Sequence, residues 1–347
     1  MTRRSAQPCR ASAWRRLPLT GLAGGVIAIV MLLVCIGTLP FTLHRTDEGP
    51  RYAAGTLSDA RLPPGEGGVL GTDHLGRSVG VRVLVGGAIS LIVGVAAGLI
   101  AVTIGTLYGA LAGYAGGRVD AIMMRIVDIL YGLPYVLLVV LLAVAGSAIT
   151  EEYQARTRER ARWMEAQQAS ASVEEPVESL ETRALVAVPP RVISERSRVM
   201  LDTLTLLIAI GSVSWLTMSR VVRGQVLSLK SRPFVEAARA AGASPARIFV
   251  RHLLPNLVGP IVVYATLTVP QAILQESFLS FLGIGIKPPL PSWGNMASDG
   301  LSELNAYRSH WWLLLTPCAM LALTLLALNF LGEALREMLD PKGRARV

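Results

Sequence analysis

Six stretches of this chain are almost unbroken runs of apolar residues, and most polar positions fall between them. The runs are Leu19–Leu39, Val83–Gly113, Ile129–Ile149, Thr203–Ser219, a fifth within Leu257–Leu282, and Trp311–Leu331. A helix of about 20 apolar residues crosses the hydrocarbon core of a bilayer. Most of the runs match that length. The second exceeds it, so part of that helix must tilt or lie at the interface. A cleaved leader competes for the first run, but a leader's apolar region spans only about 7–15 residues before a small-residue cleavage site. This run is longer and exits as "TLPFTLHR", so it is read as an uncleaved span. The expectation is an all-α polytopic membrane protein with about six transmembrane helices.

Composition agrees. The chain has 347 residues, 52% of them hydrophobic and 16% charged, against about 25% charged in soluble domains. Mean hydropathy is +0.49. The net charge of +9 does not imply nucleic acid, because the basic residues border apolar runs and no aromatic-basic platform accompanies them. The lipid bilayer is the expected surrounding. Six spans put both termini on one side, and the positive-inside rule chooses it. With the N-terminus inside, the loop after the fourth span carries Arg220, Arg223, Lys230, Arg232, Arg239, Arg247 and Arg251 against Glu236 alone. The divisions follow. Residues 1–18 are a cytoplasmic tail, 19–39 the first span and 40–82 an outer loop. Residues 83–331 are a core with an outer insertion at 150–200 and a cytoplasmic loop at 220–256, and 332–347 are a cytoplasmic tail.

The insertion is polar, and long loops translocate largely regardless of charge. Glu151–Gln168 reads as a polar helix, "SASVEEPVES" as a linker, and "ALVAVPPRVIS" as a strand ended by a proline break.

The cytoplasmic loop is the most patterned segment. In "SRPFVEAARAAG", Ser231 is a candidate cap, Pro233 suits a first turn, and the alanines favour helix. Gly242 stands where a helix commonly ends in a left-handed residue. Ser244 and Pro245 restart a helix, "ARIFVRHLL", that runs to Pro255. Arg247 and Arg251 share one face of it, Phe249 and Leu253 another. The product is a basic helix–turn–helix knob. Two readings remain open on physics alone: a connector covering the ends of its own spans, or a knob that fits a groove in a partner.

Other signals are weaker. Gly94, Gly98, Gly105, Gly109 and Gly113 form small-residue ridges in the second span, suited to close helix packing or to lining a path. Glu276 near the outer end of the fifth run is either a functional group at membrane depth or an interfacial one. Trp293 in "PSWGNM" is either a headgroup anchor or part of an outer gate or docking surface. His44, His74, His252 and His310 lack metal-ligand spacing, and "GTDHLGR" reads as a solvated turn. Cys9, Cys35 and Cys318 lack disulfide or metal spacing. No GxxxxGK[ST], GxSxG or HExxH occurs, so the chain is expected to be no enzyme and to hold no cofactor or metal.

The loop "EAARAAG" followed by "RHLLPN" resembles the EAA loop of ABC importer permeases, in particular the dipeptide/oligopeptide/nickel branch. The resemblance extends to "GTDHLGR", "AGYAGGRVD", "MRIVDIL", "SFLGIGIKPPLPSWGNM" and "LNFLGEALREMLDP", covering most residues from about 70 to 341. It looks like the second, C-type permease subunit of a peptide-type importer, with the type I (MetI-like) architecture. Three departures stand out. His252 replaces the aliphatic residue of the broad pattern, Ser78 stands where the family usually has Asp, and the insertion is longer than usual. The resemblance implies that Glu236, Ala237, Ala238, Gly242, Arg247, Arg251, His252, Pro255 and Asn256 couple to the ATPase. It favours an outer gate or docking surface for the "PSWGNM" segment with Trp293, and Glu276, Ser277, Trp293 and Asn295 are the candidates for the pathway or outer gate. It further implies a bacterial-type inner membrane location. The implied partners are a sister permease subunit, ABC ATPase subunits that bind the ATP, and an extracytoplasmic substrate-binding protein. Di- or oligopeptides are the expected cargo, with nickel or another small solute as alternatives. A secondary transporter driven by ions is disfavoured, because spans one to four and six carry no midspan charge. A non-transporting scaffold is disfavoured by the family motifs.

Overall fold

In the computed structural model, residues 19–46, 49–170, 183, 187, 195–304 and 309–339 are described. The helices are α1 (Leu19–Gly37), α2 (Leu39–Thr42), α3 (Val79–Ala115), α4 (Gly117–Tyr131), α5 (Tyr135–Ser170) and α6 (Glu195–Lys230). They continue with α7 (Pro233–Ala240), α8 (Pro245–Ile248), α9 (Leu254–Phe281), α10 (Trp293–Ser302) and α11 (Trp311–Leu339). Two two-residue strands, Arg45–Thr46 and Gly49–Pro50, form a small antiparallel ribbon. Among the described residues five helices are long and apolar enough to span a membrane, and a bent pair makes a sixth. The large apolar side chains left outside, such as Leu22, Ile29 and Leu33 on α1 and Leu137 and Leu141 on α5, form the kind of surface that lipid or a partner must cover.

The helix α3 is the mast of the structure, and its glycines explain how. Toward its N-terminal end, Gly94 and Gly98 sit against Ile273 and Val269 of α9. Toward its C-terminal end, Gly105, Gly109 and Gly113 sit against Met218, Ser219 and Val226 of α6. One ridge thus admits two helices at close range, the packing reading of this stripe. A Cβ at Gly109 would come to 3.0 Å from the Arg223 backbone nitrogen and closer still to the Ser219 carbonyl. The main core gathers Val93 and Ala97 from α3, Val127 from α4, Val139 and Ala143 from α5, and Leu206, Ile210 and Val213 from α6.

Several expected boundaries move. The third span was expected as one helix over Ile129–Ile149. Instead the chain bends by 86° between Gly117–Tyr131 and Val136–Gly146. Pro134 explains the break, since proline disfavours helical backbone in the residue before it and has no N–H to donate. The upstream half, α4, is a separate helix. Downstream, α5 continues from the span through Glu151–Gln168 to Ser170 without interruption, so the expected polar helix is an extension of the span. The expected linker and most of the expected strand lie outside the described residues. The second span opens at Val79 rather than Val83. The helix of the fourth runs past Ser219 to Lys230, so the loop assigned to 220–256 begins as helix. Arg220 and Arg223 are committed there. Arg220 pairs with Asp128 at 2.7 Å, and Arg223 grips both carboxylate oxygens of Asp120 at 2.5 and 2.6 Å.

Candidate functional site

The helix–turn–helix knob is assembled from local rules. Arg232, in extended conformation (φ −81°, ψ 146°), takes the N-cap position, and Pro233 opens α7. The expected cap, Ser231, does not serve. Its hydroxyl donates back to the Ser228 carbonyl at 3.2 Å, because α6 has only just ended and offers that acceptor. Glu236 lies in the first turn of α7, where the positive end of the helix dipole favours a carboxylate. Gly242 is left-handed, φ +76°. Its N–H donates to the Arg239 carbonyl at 2.9 Å, and the Ala243 N–H donates to Ala238 at 3.0 Å. These two bonds make a Schellman end, the arrangement that satisfies the last carbonyls of a helix.

Ser244 then caps α8, accepting from the Arg247 N–H at 3.4 Å, with Pro245 in the first turn. The expected stop at Pro255 does not occur. A π turn, Phe249–Leu253, joins α8 to α9, and the Leu254 N–H reaches back five residues to Phe249. Proline lacks an N–H and its ring crowds the carbonyl four residues earlier. The wider turn tolerates both defects, so the helix runs on into the membrane span. Asn256 donates to the His252 carbonyl at 2.7 Å on the same stretch.

The knob is seated on the ends of three spans, at the C-terminal end of α3. Val235, Ile248 and Leu253 are buried with Ala110 of α3, Met218, Val222 and Val226 of α6, and Leu257 of α9. Tyr114, at the end of α3, holds it from below. Its hydroxyl donates to the Pro245 carbonyl at 2.7 Å, its ring meets Phe249 edge-on at 5.5 Å, and its carbonyl accepts from Lys230 Nζ at 2.6 Å. Tyr114 and Lys230 were not picked out as site residues from the sequence, because the contact joins positions 131 residues apart. The outward face carries Ala237, Glu236, Arg239, Gly242, Arg247, Arg251 and Pro255, with Phe234 40% and Val250 60% exposed. Ala238 and His252 are half-buried. Glu236 has no ion-pair partner among the described residues. A basic and apolar surface with one free carboxylate, on a firmly held base, can deliver force to a docked partner.

At the opposite end, Glu276, Ser277, Trp293 and Asn295 are brought together, inside the chain. Glu276 and Trp293 are fully buried. The Trp293 indole donates to the Val83 carbonyl at 3.1 Å and packs against Gly87 and Cys35. Asn295 completes a capping box with Ser292 and donates to the Ile286 and Leu290 carbonyls. These residues lock the segment after α9 onto α3. Nearby, Asp73 of the "GTDHLGR" turn accepts from the Leu75 and Arg77 N–H groups and from the Arg77 guanidinium. The turn is therefore built around a buried carboxylate and is not solvated. Arg61 makes two hydrogen bonds to Glu303, at 2.7 and 2.8 Å, closing the loop that precedes α3 onto the end of α10. This guanidinium holds the Glu303 carboxyl below its ordinary range, with His310 and His74 adding smaller contributions. Among the described residues no cluster of His, Cys, Asp or Glu could hold a metal, and Cys35 and Cys318 are free thiols.

The fold and this knob define a multi-pass helical membrane protein with a structured, basic helix–turn–helix surface at one end of its spans. Residues 105–345 match the family described as the binding-protein-dependent transport system inner membrane component, and the chain belongs to that family. It is 39% identical over 334 residues to a dipeptide transport system permease protein of Bacillus subtilis, covering 96% of this chain and 85% of that one. It is 42% identical over 278 residues to an oligopeptide transport system permease protein of Escherichia coli K12, covering 80% and 74%. A Haemophilus influenzae oligopeptide permease is 36% identical over 321 residues, covering 92% and 83%.

Proposed function

We infer that this chain is a transmembrane permease subunit of an ATP-driven importer of di- or oligopeptides, lying in the inner membrane with both termini cytoplasmic. The observation that carries this reading is the knob, Pro233 to Asn256, whose buried side grips three spans while its other side presents Glu236, Arg247 and Arg251 to solvent. The peptide cargo rests on the relatives named above. The chain has no phosphate loop, so ATP would be hydrolysed by separate ATPase subunits docked on the knob. A sister permease would complete the pathway, and an extracytoplasmic binding protein would deliver the peptide. Closure of the ATPases pushes on the knob, and α3, α6 and α9 carry the displacement outward. The nucleotide state thereby shifts the population between outward- and inward-open pathways by differential binding to the two.

The test is to purify the assembled complex and identify the ligand held by its binding protein, alongside peptide uptake in reconstituted vesicles. ATP-dependent uptake of short peptides supports the reading. Co-purification without ATPase subunits, or a complex that imports no peptide, refutes it.

A further inference from the structure

Force applied to the knob has three ways into the spans, and they differ in kind. Two are covalent. Helix α6 feeds the knob through Ser231 and Arg232, and the π turn runs on into α9. The third, into α3, crosses a non-bonded contact. Part of that contact is apolar, with Ala110 of α3 in one cluster with Val235, Ile248 and Leu253. Apolar burial is non-directional, so such surfaces can slide. The directional part is one residue, Tyr114. Its hydroxyl donates to the Pro245 carbonyl in the first turn of α8 at 2.7 Å, and its ring meets Phe249 edge-on at 5.5 Å. No other hydrogen bond joins α3 to the knob among the described residues. Tyr114 is itself held from behind. Its carbonyl is one of the last four of α3, which have no donor within their own helix. Lys230 Nζ donates to that carbonyl at 2.6 Å and lies 5.5 Å from the ring centroid. A cation at a helix C-terminus is favoured by the helix dipole. Lys230 is the last residue of α6, so this bond fastens the ends of α3 and α6 together.

We propose that Tyr114, backed by Lys230, is the positioning residue through which displacement of the knob enters α3. The inference rests on the permease reading and names the residues on which its coupling depends. Tyr114 grips the knob with its side chain and α6 with its main chain. Beyond it, α3 is an unbroken rod. From Tyr114 to Val83, whose carbonyl accepts from the Trp293 indole, the rod is about 46 Å long at 1.5 Å per residue. A shift of Pro245 and α8 is thereby carried to the Trp293 segment at the opposite end of α3. The hydroxyl matters because a hydrogen bond has a set length and direction, which the apolar contact beside it lacks.

Tyr114→Phe removes the hydroxyl alone and keeps the ring against Phe249. Lys230→Met removes the cationic donor, and Lys230→Arg keeps one. The complete complex, with its ATPase subunits and binding protein, is reconstituted in vesicles, and the peptide taken up per ATP hydrolysed is measured. The ratio is the informative readout, because a knob that is merely less stable loses hydrolysis and uptake together. In Tyr114→Phe the ratio is expected to fall about fivefold or more, with the ATPase subunits still co-purifying. Lys230→Met should lower it in the same direction, and Lys230→Arg should stay within about twofold of wild type. A ratio at the wild-type level in Tyr114→Phe or Lys230→Met, whether or not the separate rates fall, overturns the proposal. So does loss of the ATPase subunits from the Tyr114→Phe complex, or a Lys230→Arg variant as defective as Lys230→Met. A wild-type complex that hydrolyses ATP without taking up peptide overturns the permease reading and this inference with it. The two failures are therefore distinguished, one read from the wild type and the other from the variants.

Discussion

Replacing Gly242 by valine tests the knob at its hinge. The residue is left-handed (φ +76°), and a Cβ built there meets nothing within 4 Å. No neighbour clashes, so the whole penalty is backbone strain. An L-residue in the left-handed region costs roughly 1–2 kcal/mol, and a β-branched side chain sits at the upper end or beyond. At about 1.4 kcal/mol per factor of ten, the Schellman turn loses on the order of tenfold or more of its population. The spans are unaffected, because their backbone bonds are internal to each helix. What moves is α8 with Arg247 and the π turn with Arg251. Gly242→Asn is the control, since asparagine tolerates this conformation far better. The assay is membrane abundance, co-purification of ATPase subunits, and uptake, for wild type, Gly242→Val and Gly242→Asn. Normal abundance in all three, with ATPase retention and uptake lost in valine and largely kept in asparagine, is expected. A valine variant that retains the ATPase and transports normally refutes the reasoning.

Four further outcomes are expected. The purified chain alone hydrolyses no ATP, lacking a phosphate loop; robust hydrolysis free of contaminating subunits contradicts this. A cysteine at position 170 on α5, in a background with the native cysteines replaced, reacts with an impermeant thiol reagent from the outer side of the inner membrane. Reaction only after that membrane is broken reverses the topology. Gly109→Leu, where a Cβ already crowds α6, lowers thermal stability in detergent, whereas Gly224→Leu, with open space at its Cβ, leaves it unchanged. The Arg61–Glu303 clasp weakens in acid. Glu303 is held below its unfolded value of about 4.3, so its contribution is present above that value and lost as pH falls through the folded one. Limited proteolysis of the outer loop should accelerate over that acid window in wild type. In Glu303→Gln it should be fast at every pH.

The sequence by itself determined what local physics can determine. Long apolar runs must become helices in a bilayer, because no other open structure satisfies the backbone there. Gly242 and the Ser244–Pro245 pair define the turn through conformations only such residues adopt cheaply, and the structure agrees in detail. Local rules failed where two of them competed. At Pro134 the apolar run continues but the backbone cannot, so the span breaks. At Pro255 the backbone should stop, yet a π turn absorbs the defect because burial of Leu253 and Leu257 on both sides favours continuity. Only the tertiary structure decided which charges are free. Arg220 and Arg223 read like Arg247 and Arg251 in sequence, but α4 folds back to place Asp128 and Asp120 against the first pair and leaves the second exposed. The same holds for Trp293 and Tyr114. Their partners lie far along the chain or across a helix packing that small residues on α3 make possible. Electrostatics and burial depend on that proximity in space, which the order of residues along the chain does not state.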